Sequence, residues 1–129
     1  MIKKNAKLMP HFLKGLFDTD GYLKFSKQTK DYHYYPRIRL CFQNSPLVYD
    51  LKTILKELGF NYGFNKDARF NTVYFEISGK ENLEKWVKMI GMNNPVHKTK
   101  YLIWKKYGLY IPKSSLKSRV EALNLNMYD

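Results

Sequence analysis

The sequence predicts an α+β fold of order α-β-β-α-β-β-α, with one antiparallel sheet and its helices on a single face. Three observations carry that expectation. Tyr35 to Gln43 alternates cleanly, Ile38, Leu40 and Phe42 on one side and Arg37, Arg39, Cys41 and Gln43 on the other. Two apolar stripes at helical spacing, Leu47 to Leu58 and Leu83 to Ile90, each stop at a glycine, Gly59 and Gly91. No Gly/Ser or Pro-rich linker interrupts the chain, so residues 1–129 are expected to form one domain, with 109–129 as a C-terminal extension.

The elements follow in order. Pro10 suits a first helical turn, and Phe12, Leu13, Leu16 and Phe17 continue at helical spacing until Gly21. Tyr22 to Lys27 reads as a strand, with Leu23 and Phe25 alternating against Tyr22, Lys24 and Ser26. Gln28 to Tyr34 is a polar connection to the strand at Tyr35. Ser45 is expected to cap the next helix, with Pro46 at its first position. Two more strands are expected over about 60–66 and 71–78. In the last of them Val73, Phe75 and Ile77 face the core and Thr72, Tyr74 and Glu76 stay open. The facing of Tyr62 and Phe64 is open between core and contact surface. Asn94-Pro95 starts a helix that runs to Gly108, and Ser114 or Ser115 caps a short last helix carrying Leu116, Val120 and Leu123.

Composition narrows the function. The net charge is +12, the sequence pI about 9.7 and the hydrophobic fraction 44%. A folded domain this basic is expected to bind a polyanion. The single cysteine, Cys41, excludes an intrachain disulfide and fits an intracellular, reducing compartment, either cytoplasmic/nucleoid or organellar. Cys41 itself is expected to serve packing. No apolar run is long enough to span a membrane, and the initial MIKKNAKLMP lacks the apolar stretch of a signal peptide, so no membrane partner is expected.

Two features carry chemistry. The open side of the first two strands holds Lys24, Ser26, Arg37, Arg39 and Gln43, residue types that read base edges, while Lys66 and Arg69 at a turn could reach phosphates. An ordinary solvated sheet face has a similar composition, and the +12 charge favours the binding face. The second feature is Asp18-Thr19-Asp20-Gly21, which puts acids at a helix C-terminus. The macrodipole is negative there, so an anion sits badly unless a cation lies between it and the exposed carbonyls. A metal site beside nucleic acid is the reading that relieves this conflict. Asp18 is favoured as a structural group bonding backbone N–H. His97 is expected at the surface of a helix start, and neither His11 nor His33 has zinc-like spacing.

Leu13-Lys14-Gly15-Leu16-Phe17-Asp18-Thr19-Asp20-Gly21, followed by two β-β-α units, resembles the LAGLIDADG homing endonucleases. Six of the nine motif positions match; Lys14 departs from the usual small residue. Asn94-Pro95-Val96-His97-Lys98-Thr99-Lys100-Tyr101 is similar to the Asn-Pro, Lys-rich helix of that family. The likeness covers roughly residues 9–108.

The resemblance implies a saddle-shaped sheet and two motif helices packed on each other. Phe12, Gly15, Leu16 and Thr19 would form that seam, and Gly15 and Thr19, four apart, share one helix face. Only one motif occurs here, so the resemblance implies a homodimer on a roughly palindromic double-stranded DNA site. It further implies Asp20 as the ligand of Mg²⁺ or another divalent cation, helped by the Gly21 carbonyl, and cutting of both strands with short 3′ overhangs. Lys98 is the expected active-site lysine, with Lys100 as the alternative; Gln43 or Asn44 could position water. The competing expectation is a non-cleaving DNA- or RNA-binding protein on the same scaffold, an intron maturase or a regulator.

Overall fold

The computed structural model of the protein describes residues 8–112 and 114–123. Its elements run α1 (Leu8–Asp20), β1 (Gly21–Ser26), β2 (Tyr35–Gln43), α2 (Leu47–Glu57), β3 (Gly63–Asp67), β4 (Thr72–Ser78), α3 (Lys80–Met89), α4 (Pro95–Tyr107) and α5 (Leu116–Leu123). The expected α-β-β-α-β-β-α order is present, and α4 and α5 follow it. Most of the initial segment read for a signal peptide, residues 1–7, lies outside the described residues.

The four strands make one antiparallel sheet in the order β1-β2-β4-β3. The two β-β units therefore meet where β2 pairs with β4. Register places Leu23 opposite Ile38, Ile38 opposite Ile77 and Leu40 opposite Phe75. Side chains alternate along a strand, so these residues share one face with Phe25 and Val73, and all are buried. The helices cover that face. Met9, Leu13 and Phe17 come from α1, Leu51, Ile54 and Leu55 from α2, and Leu83 and Trp86 from α3. Phe17 meets Trp86 edge-on at 5.4 Å between ring centres. The open question about β3 resolves toward the core: Phe64 lies opposite Phe75, and Tyr62 packs edge-on against that same ring.

The helix ends differ from expectation at one place. Helix α2 starts at Leu47 with Pro46 at the cap position, and no side chain caps it. The Ser45 carbonyl accepts from Val48 N–H instead (3.1 Å), because Pro46 already adopts helical angles and moves the boundary by one residue. Helix α4 ends as expected. The Asn94 side chain accepts from Val96 N–H at 2.9 Å, Pro95 opens the helix, and Gly108 closes it at φ +75°. Ser115, not Ser114, caps α5 through a 3.0 Å bond from Ser118 N–H.

Gly21 is needed for space and not for a turn. A Cβ there would lie 2.6 Å from Phe17 Cδ1 and 3.0 Å from Phe17 Cα. Phe17 is fully buried and cannot yield. The helix thus passes directly into β1 with its last turn pressed on the first strand residue. Gly21→Ala is expected to cost about 2 kcal/mol through overpacking. A denaturant midpoint measured against the parent chain checks this.

Candidate nucleic-acid interface

The sheet face away from the helices is polar and continuous. Cross-strand partners share a face, so the register assembles Tyr22, Lys24 and Ser26 of β1 with Arg39, Arg37 and Tyr35 of β2. Ser78, Glu76, Tyr74 and Thr72 of β4 then lie opposite Arg37, Arg39, Cys41 and Gln43. Five of the residues expected to contact nucleic acid, Lys24, Ser26, Arg37, Arg39 and Gln43, are thereby brought together. Lys66 is not among them. It lies opposite Val73 and takes the helix-side parity, though it is exposed at the edge strand. Arg69 sits in the exposed β3–β4 turn, where its guanidinium bonds Asp67 at 3.2 Å. Cys41 is exposed on the open face and does not pack in the core, because strand parity carries it to that side.

At the centre of this face one carboxylate holds two arginines. Arg37 Nη1 donates to Glu76 Oε1 at 2.6 Å, and its Nε donates to Ser26 Oγ at 2.9 Å. Arg39 donates through Nε (3.0 Å) and Nη2 to Glu76 Oε2. Aromatic rings flank both: Arg39 lies over Tyr22 and Tyr74, and Arg37 over Tyr35. Burial alone would raise the Glu76 pKa, but the hydrogen bonds from Arg39 and Arg37 outweigh it and hold it below the usual carboxylate value. For Arg39, burial pulls the pKa down and the Glu76 hydrogen bond pushes it above the ordinary value, so the guanidinium stays charged. Glu76 was legible as an open-face residue; its role was not. An acid opposite an arginine on a face of a +12 chain is the signal that would have found it.

The two acids of the α1 terminus have separate environments. Asp18 accepts from the backbone N–H groups of Asn93 and Asn94 at 3.1 Å, and Asn94 Nδ2 returns a bond to the Asp18 carbonyl. It therefore stands at the positive N-terminal end of α4, where the macrodipole favours an anion. Half of the expected electrostatic conflict is relieved by protein. Asp20 is different. It is exposed and makes no hydrogen bond or ion pair among the described residues. It lies where α1 ends, and the last carbonyls of a helix lack helical partners. Such hard oxygen donors suit a hard divalent cation, so the residues present fit the expected metal. Among the described residues no group of three or more His, Cys, Asp or Glu could hold a metal ion.

The four residues expected to form the seam lie away from the core side of α1. Met9, Leu13 and Phe17 take the core side of α1, whereas Phe12 and Leu16 are only half-buried and Gly15 and Thr19 are exposed. A Cβ on Gly15 would meet nothing within 4 Å. The Thr19 hydroxyl donates back to the Gly15 carbonyl at 3.0 Å, so its polar atom is spent within the helix.

Helix α4 separates the two candidate lysines. Lys98 is exposed. Lys100 is half-buried and its Nζ donates to the Leu23 carbonyl of β1 at 3.2 Å. Burial, then the nearby Arg119 charge, lowers its pKa from the ordinary lysine value. His97 is buried rather than at the surface: its ring lies 4.4 Å from that of Phe17, and neither ring nitrogen finds a partner among the described residues. Burial, then the Lys100 charge, lowers its pKa. The α4 register, with His97, Lys100 and Trp104 on one side, drives it under α1.

The comparisons with known proteins agree with this architecture. The family model described as a LAGLIDADG-like domain matches residues 8–91. Among solved structures, the I-LtrWI LAGLIDADG homing endonuclease bound to target DNA is similar at TM-score 0.59 and 14% identity, over 79% of this chain and 37% of that one. Meganuclease I-SmaMI bound to uncleaveable DNA is similar at TM-score 0.53 and 15% identity, over 92% of this chain and 45% of that one. Full-length DUF199/WhiA from Thermatoga maritima is similar at TM-score 0.50 and 19% identity, over 96% of this chain and 40% of that one. The chain thus spans less than half the length of each of these neighbours. No curated protein matches by sequence. Among the described residues no helix is long and apolar enough to cross a membrane.

Proposed function

The chain belongs to the LAGLIDADG-like domain family, and from that membership we propose that it is a site-specific double-stranded DNA endonuclease acting as a homodimer. The observation that carries the proposal is Asp20, exposed and without a partner among the described residues, at the foot of a helix whose Gly15 face none of them covers. A carboxylate held for structure would have protein partners, as Asp18 does. Two copies packed through Phe12, Gly15, Leu16 and Thr19 would bring two Asp20 side chains to the two-fold axis.

Asp20 and the Gly21 carbonyl of each copy would hold Mg²⁺ or another divalent cation. When bound, the cation supplies an acidified water and charge to offset the leaving 3′-oxygen. Lys100 is the better lysine for the site, because it is anchored on the Leu23 carbonyl two residues past Gly21, whereas Lys98 has no such anchor among the described residues. The sheet face with Lys24, Ser26, Arg37, Arg39 and Gln43 lies in the major groove and reads bases. Lys66 and Arg69, off that face, reach phosphates. Arg119 of α5 bonds Thr99 of α4 at 2.9 Å, which supports reading residues 114–123 as part of the same domain.

A second reading keeps the DNA- or RNA-binding face without cutting, as in a maturase or regulator. The sheet face and the +12 charge serve this reading as well as the first. One experiment separates the two. A duplex is selected from random sequence by binding, then incubated with Mg²⁺. Cleavage of both strands within the selected site is expected, with binding that weakens steeply between 50 and 200 mM salt, on the order of 10³-fold for six or more phosphate contacts. Binding without cleavage would leave the non-cleaving reading, and salt-insensitive binding would remove the phosphate-tracking face.

A further inference from the structure

We propose that Glu76 is a specificity-determining residue, which positions Arg37 and Arg39 for base readout while suppressing their pull on DNA phosphate. The proposal rests on the DNA-binding reading above and deepens it. Glu76 sits mid-strand on β4, directly opposite Arg39. Its two oxygens are divided: Oε1 accepts from Arg37 Nη1 at 2.6 Å, and Oε2 accepts Nε and Nη2 of Arg39. Ser26 and Ser78 hydroxyls complete the Arg37 side at 2.9 and 3.3 Å. All three charged side chains remain partly exposed, at 24%, 26% and 18%. The cluster is therefore at the surface, open to a ligand.

Two consequences follow from this geometry. The first concerns shape. Arg39 spends its Nε side on Glu76, which leaves the end-on Nη1/Nη2 edge for a guanine O6/N7 pair. Tyr22 and Tyr74 flank the guanidinium and limit its swing. A side chain already fixed in its binding pose loses little freedom on docking, and a wrong base cannot recruit it elsewhere. The second concerns charge. Each unit of positive charge that meets phosphate strengthens binding to any sequence. One carboxylate between two guanidiniums reduces the centre of the face from two units to one. Sequence-independent attraction is thereby left to exposed cations off the base-reading face, such as Lys66. Specificity is a ratio of affinities, and lowering the unwanted one raises it.

The test uses the full chain with its selected duplex and a scrambled duplex, titrated from 50 to 200 mM salt. Two variants separate shape from charge. E76Q removes the charge and one strong acceptor; E76D keeps the charge but is one methylene too short to bridge both arginines. For E76Q, binding to the scrambled duplex is expected to tighten and the log–log salt slope to steepen by about one. The selected-to-scrambled ratio is expected to fall about tenfold, the scale of one bidentate base contact. For E76D the slope is expected to stay at the wild-type value while the ratio still falls. Thermal melts of both variants accompany the titrations, and should E76Q unfold, E76D alone carries the discrimination readout. Equal weakening on both duplexes at an unchanged slope would make Glu76 a strand staple and overturn the proposal. An unchanged ratio in both variants would overturn it too. Wild type that prefers no duplex at all would instead bring down the DNA-reading face itself.

Discussion

Asp20→Asn is expected to lower duplex cleavage at least about a hundredfold while leaving binding to the selected duplex intact. The substitution exchanges a charged oxygen donor for a neutral amide at a position that hard divalent cations favour only when it is anionic. Loss of metal-assisted activation of water is worth several kcal/mol of barrier, and each 1.4 kcal/mol is a factor of ten in rate. The fold should be indifferent, because Asp20 is exposed and bonds nothing among the described residues; surface substitutions of this kind stay within about 0.5 kcal/mol. The matched control is its neighbour. Asp18→Ala leaves the N–H groups of Asn93 and Asn94 without their acceptor and is expected to destabilise the chain by about 1–2 kcal/mol. Cleavage rates on a labelled duplex, with melting curves for both variants, distinguish the two acids. Equal effects of the two substitutions on stability would contradict their separate roles.

Gly15→Glu is expected to raise the homodimer dissociation constant at least about a hundredfold with the single chain still folded. In the isolated chain a side chain at Gly15 enters open space. Removing a helix-interior glycine even favours the helix slightly. In the proposed pair the same side chain would enter the closest approach of two helices. Each copy would also bring an unpaired carboxylate to the two-fold axis, beside the other copy's. Like charges forced together at an interface cost several kcal/mol. Sedimentation of the variant across a concentration series checks the constant, and circular dichroism checks the fold. A variant that pairs as tightly as the parent would place the seam elsewhere.

The sequence carried the architecture well because the architecture follows from periodicity. The alternation from Ile38 to Phe42 and the stripes closed by Gly59 and Gly91 are local patterns, and the strands and helices appear where they point. Cross-strand register also follows from parity, which is why Arg37 and Arg39 were legible as open-face residues. What was not legible depends on partners distant in sequence. Asp18 finds Asn93 and Asn94 some 75 residues away, and no local pattern announces that an acid at one helix end will serve the start of another. Glu76 and Arg39 are 37 residues apart, and their pairing required knowing that β2 lies beside β4. His97 was misplaced for a related reason: its burial is set by Phe17, on an element that local reading of the α4 start does not include. Gly21 was expected only as the helix stop, whereas the ring of Phe17 four residues earlier is what requires a glycine there.

The motif helix therefore holds three roles within thirteen residues. Its Met9, Leu13 and Phe17 edge builds the core, its Gly15 edge is left uncovered, and its final residue is a carboxylate without a partner among the described residues. In the proposed homodimer these last two belong together, because a second copy would cover the first and complete the site at the second. The mass of the complex on its selected duplex, measured by native mass spectrometry, tests that most directly. Two chains per duplex is the predicted stoichiometry; a single chain bound to and cutting both strands of the duplex would contradict it.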